Sequence, residues 1–245
     1  FLASECPGTA VVVSLDGETP DSYSMLRPYT AGIGSGKGFA RAVRTIELLV
    51  KHGVKVTVNY TLTDLTIDRF LATYEFVTAL GVASFLGIKF FPYGRGGRNI
   101  GALELPYGRW AGFLRQLTSE KARGRLKEVS LSVTCPWEFY LPLVNHGYTP
   151  SDVSAIWDYE SPLCSPYYSS RRSLGCNAGV TSCAISPDGS VYPCGTVSAR
   201  VPGLYCGNIR SGGLRGVWNQ SDMLEHLRLL DLEQIGEPCV SCRFA

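Results

Sequence analysis

Long apolar runs and an excess of charge of one sign are both missing from this sequence. The formal net charge is +2 over 245 residues, so no patch for nucleic acid or another polyanion is indicated. Apolar runs such as residues 11–13 and 48–50 are of core size, whereas a membrane-spanning helix needs roughly 18 or more apolar residues. The sequence therefore predicts neither a nucleic-acid-binding protein nor a membrane protein.

A signal-peptide pattern and an initiator methionine are also missing. The first residue is Phe1, the first methionine is Met25, and residues 1–7 lack a basic segment followed by an apolar one. We therefore expect a cytoplasmic protein whose chain continues upstream of Phe1.

The first half of the sequence reads as alternating strands and helices. Hydrophobic residues make up 45% and charged residues 18%, which is enough apolar material for a substantial core. Apolar or Val/Thr-rich segments predict strands, and three- and four-residue apolar spacing predicts helices. We expect strands at 10–15, 54–62, 85–91 and 129–133, and helices at 39–51, 66–80 and 107–117. This order predicts an α/β fold with a parallel sheet, either doubly wound or a partial (β/α) barrel.

The pattern changes near the first of the C-terminal cysteines. Residues 182–186 and 190–192 flank Pro187-Asp188-Gly189 and predict a hairpin, and a helix is expected at 221–230. We therefore predict two domains, 1–172 and 173–245, the second a small α+β hairpin-plus-helix domain.

Nine cysteines are present, and most of them crowd the last third of the chain. Cys176 and Cys194 flank the predicted hairpin, while Cys239 and Cys242 form a CxxC pair. Four soft thiolates from two segments suit zinc or an iron–sulfur cluster. The spacing leaves both open, although the CX17C first half differs from the paired CxxC of zinc ribbons. The alternative is that these are ordinary buried cysteines.

Two further cysteines lie within the same region. Cys183 falls in the first hairpin strand and Cys206 directly precedes Gly207. Either could be a core residue, a further ligand or part of a second metal site.

The C-terminal segments resemble the SPASM/Twitch extension of radical SAM enzymes. The resemblance rests on GCNAG at 175–179, AISPDGSVYPC at 184–194, GNI at 207–209, LRGVW at 214–218 and the final CxxC. It implies an auxiliary [4Fe–4S] cluster bound by Cys176, Cys194, Cys239 and Cys242. The longer SPASM form would hold a second cluster through additional cysteines.

The first half resembles the middle and later strands of a radical SAM partial barrel, through VVVSLDG at 11–17, LLVKHGVKVTVN at 48–59 and IKFFPYGRGG at 88–97. The resemblance implies that Ser14, Asp16 and Asn59 lie at the strand ends that face S-adenosylmethionine. A strand-end turn is the alternative interpretation of Asp16-Gly17.

The CX3CX2C segment that carries the catalytic cluster in that family is absent from these residues. The resemblance implies an enzyme that modifies a peptide, protein or cofactor precursor through a 5′-deoxyadenosyl radical, with this chain as its C-terminal part and inactive alone. An upstream segment or a partner chain would supply the rest of the barrel. The alternatives are a non-catalytic cluster-binding subunit or electron carrier, and a structural zinc module. The sequence assigns no residue to a peptide or small-molecule substrate.

Overall fold

The computed structural model describes residues 2–6, 8–27, 35–92, 96–134, 136–158, 178–197, 201, 203–237 and 240–241. The chain divides into two compact units, Phe1–Tyr159 and Glu160–Ala245. The predicted domain boundary near residue 172 lies outside the described residues and stays a prediction.

The first unit alternates strands with helices, as the apolar patterns predict. Its four strands are β1 (Ala10–Ser14), β2 (Lys55–Leu62), β3 (Ser84–Lys89) and β4 (Val129–Ser132). Its helices are α1 (Leu2–Glu5), α2 (Pro20–Ser24), α3 (Ser35–Lys51), α4 (Phe70–Ala79), α5 (Ile100–Leu103), α6 (Tyr107–Ala122), α7 (Pro136–Val144) and α8 (Pro150–Trp157). Short 3₁₀ turns at Ile67–Arg69 and Gly96–Asn99 precede α4 and α5.

The strand order decides between the two parallel folds that the sequence allows. The four strands pair in the order β1-β2-β3-β4, and every pair is parallel. A doubly wound sheet reverses direction at a switch point, whereas a barrel adds each new strand on the same side. The first unit is therefore a section of a (β/α) barrel, and the predicted fold class is confirmed.

One face of this sheet is covered by helices. Val56, Val58, Tyr60 and Leu62 of β2 are fully or almost fully buried on it. Phe70 of α4 packs there, with ring centroids 5.5 Å from Tyr60 and 4.9 Å from Phe85. Gly87 lies under the same helix, because a Cβ there would lie 2.8 Å from the Phe70 ring. This aromatic packing forms the core of the unit.

The opposite face is mostly polar and partly open. Its residues alternate with the buried ones, and none of the following is buried: Val12, Ser14, Thr57, Asn59, Thr61, Ser84, Leu86, Ile88, Ser130 and Ser132. Parallel sheets are usually covered on both faces. An open polar face therefore marks the side on which a ligand or further protein would lie.

The second unit contains a three-stranded antiparallel sheet followed by helices. The sheet is ordered β5-β6-β7, with β5 at Ala184–Ile185, β6 at Ser190–Tyr192 and β7 at Gly207–Asn208. The helices are α9 (Ile209–Gln220), α10 (Asp222–Leu229) and α11 (Leu232–Ile235). Val191, Cys206, Val217 and Leu224 form a small separate core. The predicted hairpin and helix are thus present.

Two hydroxyl residues at helix N-termini do not cap their helices through their side chains. Thr66 makes no cap hydrogen bond, because its hydroxyl oxygen accepts from the Thr63 backbone N–H instead, while the hydroxyl donates to the Thr61 carbonyl. Ser221 occupies the N-cap position of α10 but its side chain does not cap the helix. A capping box at Thr19, in which Thr19 and Ser22 exchange hydrogen bonds, begins α2 and was not predicted. Among the residues that the structure describes, no helix is both long and apolar enough to cross a bilayer.

Candidate functional site

Ser14 and Asn59 lie side by side on the open face of the sheet. They are direct partners in the parallel register of β1 and β2. Ser14 is exposed and Asn59 is half-buried. The Asn59 Oδ1 atom is buried and accepts no hydrogen bond from the part of the chain that the structure describes. An unsatisfied buried acceptor of this kind disfavours folding, so it indicates a site that a donor group of a ligand would complete.

Asp16 has both of its carboxylate oxygens engaged within the protein. It is 2% exposed and follows β1. Oδ1 accepts a 2.7 Å hydrogen bond from the Thr61 backbone N–H, and Oδ2 accepts a 2.6 Å bond from Arg27 Nε. These contacts hold the end of β1 against β2. They favour the strand-end interpretation, while contact between Asp16 and a cofactor stays a prediction.

The turn after Asp16 explains the glycine that follows it. A Cβ on Gly17 would lie only 2.5 Å from the backbone nitrogen of Tyr23 and would also overlap Ser22. Helix α2 therefore begins so close to the strand end that residue 17 has no room for a side chain.

A half-buried cation at the end of β3 was not predicted from the sequence. Lys89 is 16% exposed, and its Nζ lies 2.7 Å from Glu138 Oε1 and 5.9 Å from the centroid of the Trp110 ring. The Trp110 indole N–H donates a 2.7 Å bond to the Glu138 carbonyl. The only available signal was a lysine ending an apolar strand, because its partners lie 21 and 49 residues further along the chain. This group ties α6 and α7 to the carboxyl end of the sheet.

Three of the four predicted cluster ligands, Cys176, Cys239 and Cys242, lie outside the described residues. Cys194 is described, lies two residues beyond β6 and is half-buried. Its sulfur lies 2.9 Å from the Thr196 hydroxyl. Among the described residues alone, no group of three or more His, Cys, Asp or Glu could hold a metal ion.

The register of the small sheet places Cys183 and Cys194 at the same end of the sheet. Ala184 pairs with Tyr192 in the antiparallel hairpin, so Cys183 lies opposite Pro193, which directly precedes Cys194. Both cysteines are half-buried and neither is in a disulfide. Thiolates at this end of the sheet have the soft-donor chemistry that iron–sulfur clusters and zinc require. The described part of the site therefore fits the predicted type of metal centre.

Gly179 holds these cysteine segments together. It has a φ of +72°, which favours glycine. Its N–H donates to the Ser182 carbonyl at 3.0 Å and to the Pro193 carbonyl at 3.2 Å. Ser182 and Pro193 immediately precede Cys183 and Cys194 in the chain. One backbone amide therefore links both cysteine-bearing segments.

Cys206 is a core residue in this structure. It is 7% exposed, and its sulfur approaches the Leu204 carbonyl at 3.5 Å. Burial raises the pKa of its thiol, which disfavours the thiolate that binds metals. The core interpretation of Cys206 is therefore favoured over a ligand role.

The hairpin turn is stabilised by a carboxylate. Asp188 accepts hydrogen bonds of 3.0 Å from both the N–H and the hydroxyl of Ser190, and these bonds lower the pKa of Asp188. Asn208 donates to the Asp188 carbonyl and also caps α9 by accepting from the Arg210 N–H. These contacts connect the turn of the hairpin to the helix that follows β7.

A comparison with known families finds a match in the C-terminal segment of the chain. Residues 176–243 match the SPASM family, described as an iron-sulfur cluster-binding domain. All of the predicted ligand cysteines fall within this match.

Two curated relatives are named AdoMet-dependent heme synthase. The protein of Methanosarcina barkeri (strain Fusaro / DSM 804) is 24% identical over 234 residues, covering 95% of this chain and 59% of the relative. The protein of Oleidesulfovibrio alaskensis (strain ATCC BAA-1058 / DSM 17464 / G20) is 22% identical over 238 residues, covering 95% of this chain and 53% of the relative. The chain thus spans somewhat more than half the length of these relatives.

Solved structures share the fold. Streptococcus suis SuiB bound to precursor peptide SuiA matches with a TM-score of 0.63 and 14% identity, over 96% of this chain and 47% of that chain. Native anSMEcpe with bound AdoMet and Kp18Cys peptide matches with a TM-score of 0.57 and 16% identity, over 96% of this chain and 57% of that chain. The predicted resemblance to radical SAM enzymes with a SPASM/Twitch domain is confirmed.

Proposed function

We propose that this chain is the C-terminal part of a radical SAM enzyme, with its second unit binding an auxiliary [4Fe–4S] cluster. The observation that supports this most directly is that all four candidate ligand cysteines lie inside the segment that matches a cluster-binding family, with Cys194 at one end of the small sheet. The open polar face of the first unit supports a ligand site in the same chain.

Cys176, Cys194, Cys239 and Cys242 are the proposed cluster ligands. Cys183 is a fifth thiol at the same end of the small sheet, where it packs against the small core, and it is the alternative ligand for one of the four positions on the cluster. Of these five, Cys183 and Cys194 lie among the described residues, and their partial burial would limit access of water and oxygen to a bound cluster.

Ser14, Asp16 and Asn59 are the proposed S-adenosylmethionine contacts. The unsatisfied Asn59 Oδ1 would accept a hydrogen bond from an amine or hydroxyl of the ligand. The exposed Ser14 hydroxyl beside it could donate or accept. Asp16 would act mainly by fixing the end of β1, because both of its oxygens already accept hydrogen bonds.

When bound, the cofactors of this family supply a 5′-deoxyadenosyl radical and an auxiliary centre for electron transfer or substrate anchoring. The proposed substrate class is a peptide, a protein or a cofactor precursor. The relatives named AdoMet-dependent heme synthase support the cofactor-precursor class, and the peptide-bound structures of SuiB and anSMEcpe support the peptide class. A cytoplasmic location stays a prediction.

Anaerobic reconstitution of the 245-residue chain with iron and sulfide tests the cluster proposal. We expect close to four irons and four sulfides per chain, together with a broad visible absorbance from thiolate-to-iron charge transfer. Cys194→Ser and Cys239→Ser should lower iron content, whereas the control Cys135→Ser should not. A colourless chain that binds one zinc would support the structural zinc module instead.

Cys183→Ser decides whether the fifth thiol is a ligand. We expect it to lower iron content less than Cys194→Ser does, because Cys183 packs against the small core. A loss as large as that of Cys194→Ser would instead show that Cys183 is a ligand. Iron content equal to that of the unmodified chain would leave Cys183 as a packing residue of the small core.

An upstream reading frame with CX3CX2C would support the enzyme. A protein that naturally begins near Phe1 would instead favour the alternative of a cluster-binding subunit or electron carrier.

A further inference from the structure

Arg228 of α10 reaches the backbone beside the candidate cluster ligands. The residue is half-buried, and its Nε donates a 2.9 Å hydrogen bond to the Gly179 carbonyl, 49 residues earlier in the chain. Gly179 lies three residues after Cys176 and four before Cys183. The arginine therefore contacts the short segment between two of the candidate ligands.

The contact point is the same residue that links Cys183 and Cys194. The Gly179 N–H donates hydrogen bonds to the carbonyls of the residues that precede these two cysteines. The Gly179 carbonyl accepts a hydrogen bond from Arg228. A Cβ on Gly179 would lie 3.1 Å from Leu224 and 3.2 Å from Leu227, so the segment also packs directly on α10.

The guanidinium is itself held at a fixed position. Its Nη2 donates a 2.9 Å hydrogen bond to the Trp218 carbonyl, in the last turn of α9, where helix carbonyls have no intrahelical partner. The guanidinium carbon also lies 4.6 Å from the centroid of the Trp218 ring. Two donor groups of one planar fork therefore join the end of α9 to the cysteine segment, a geometry that lysine cannot reproduce.

We propose that Arg228 is a positioning residue for the cluster, which holds the segment between Cys176 and Cys183 through the Gly179 carbonyl. This inference rests on the proposed cluster-binding function. Residues that orient metal ligands through hydrogen bonds commonly change metal affinity by about 10–100-fold when they are mutated. We therefore expect the planar guanidinium donors of Arg228, as well as its charge, to affect retention of the cluster.

The test uses the full 245-residue chain, reconstituted anaerobically with iron and sulfide. The variants are Arg228→Met, which removes both the charge and the planar guanidinium donors, and Arg228→Lys, which keeps the charge but not the planar donors. Arg215→Met removes an exposed charge from α9 and serves as the matched control. Val217→Ala loosens the small core without touching Gly179, and it reports what loss of packing alone does to the cluster.

The readouts are iron and sulfide per chain, the rate of cluster loss to a chelator, and the electron paramagnetic resonance spectrum of the reduced cluster. We expect both Arg228 variants to lose the cluster about tenfold faster than the unmodified chain or more, with altered g values. We expect Arg215→Met and Val217→Ala to keep the unmodified spectrum.

Three results would overturn the role of Arg228. These are a spectrum and loss rate for Arg228→Met equal to those of Arg215→Met, the same spectral change in Val217→Ala, or full retention by Arg228→Lys. An unmodified chain that takes up no iron and sulfide would overturn the proposed cluster-binding function itself, together with this role. Cluster binding by the unmodified chain thus separates failure of the positioning role from failure of the function.

Discussion

Replacing Gly179 with alanine should loosen the second unit more than the same change at a second left-handed glycine. Gly179 has a φ of +72° and Gly203 a φ of +87°. An alanine in the left-handed region of backbone conformations destabilises the protein by about 1–2 kcal/mol at either position. At Gly203 nothing lies within 4 Å of the added Cβ, so only this backbone effect applies.

At Gly179 the added methyl group also meets Leu224 and Leu227 of α10 at 3.1–3.4 Å. Overpacking of this kind adds about 1–2 kcal/mol, at the lower end of the usual range. Hydrogen exchange of the α10 amides measures the difference locally, and we expect them to exchange roughly 5- to 30-fold faster in Gly179→Ala than in Gly203→Ala. Equal exchange in the two variants would show that α10 does not pack on Gly179 as described.

Three further changes test other parts of the structure. Asn59→Leu should raise the free energy of unfolding by about 1 kcal/mol in urea titrations, because it removes an unsatisfied buried oxygen; a destabilised variant would show that Oδ1 has a partner. The pKa of Asp188 in the folded chain is lowered below the ordinary value of 3.8, so this carboxylate stabilises the fold above that pH, and the effect is lost as pH falls through the lower folded-state pKa. The thermal midpoint of Asp188→Asn should therefore fall less in acid than that of the unmodified chain. Equal acid dependence of the two midpoints would argue against this role. Lys121→Met should lower the free energy of unfolding by about 1–3 kcal/mol, because the Lys121 Nζ donates to the Leu126 and Val129 carbonyls. The control Lys127→Met, at an exposed lysine, should change the free energy of unfolding little. Equal effects of the two variants would contradict the role of Lys121.

The elements of the first unit could be predicted from the sequence because their signals are local. The apolar run at β1 and the alternation of β2 report burial of neighbouring side chains, and Gly53 and Gly81 end their helices with left-handed backbones. The capping box at Thr19 is likewise a local signal, because Thr19 and Ser22 are three residues apart.

The candidate site could be predicted only in its chemistry. Cysteine types and spacing indicated a metal centre, and the three cysteines outside the described residues leave its full ligand set a prediction. The register that places Cys183 opposite Pro193 depends on which residues occupy the turn, because a shift of one residue changes which side chains share a face of the sheet.

The sequence by itself determined which segments are strands and helices, where thiolates accumulate and which residues end the strands. Tertiary structure alone decided the one-directional strand order, the engagement of Asp16 by Thr61, and the approach of Arg228 to Gly179. The physical reason is distance along the chain. Periodicity and turn residues reflect energies within a few neighbours, whereas Asp16 and Thr61 are 45 residues apart, and Arg228 and Gly179 are 49 apart. Such partners are selected only when the packed core fixes the backbone that carries them.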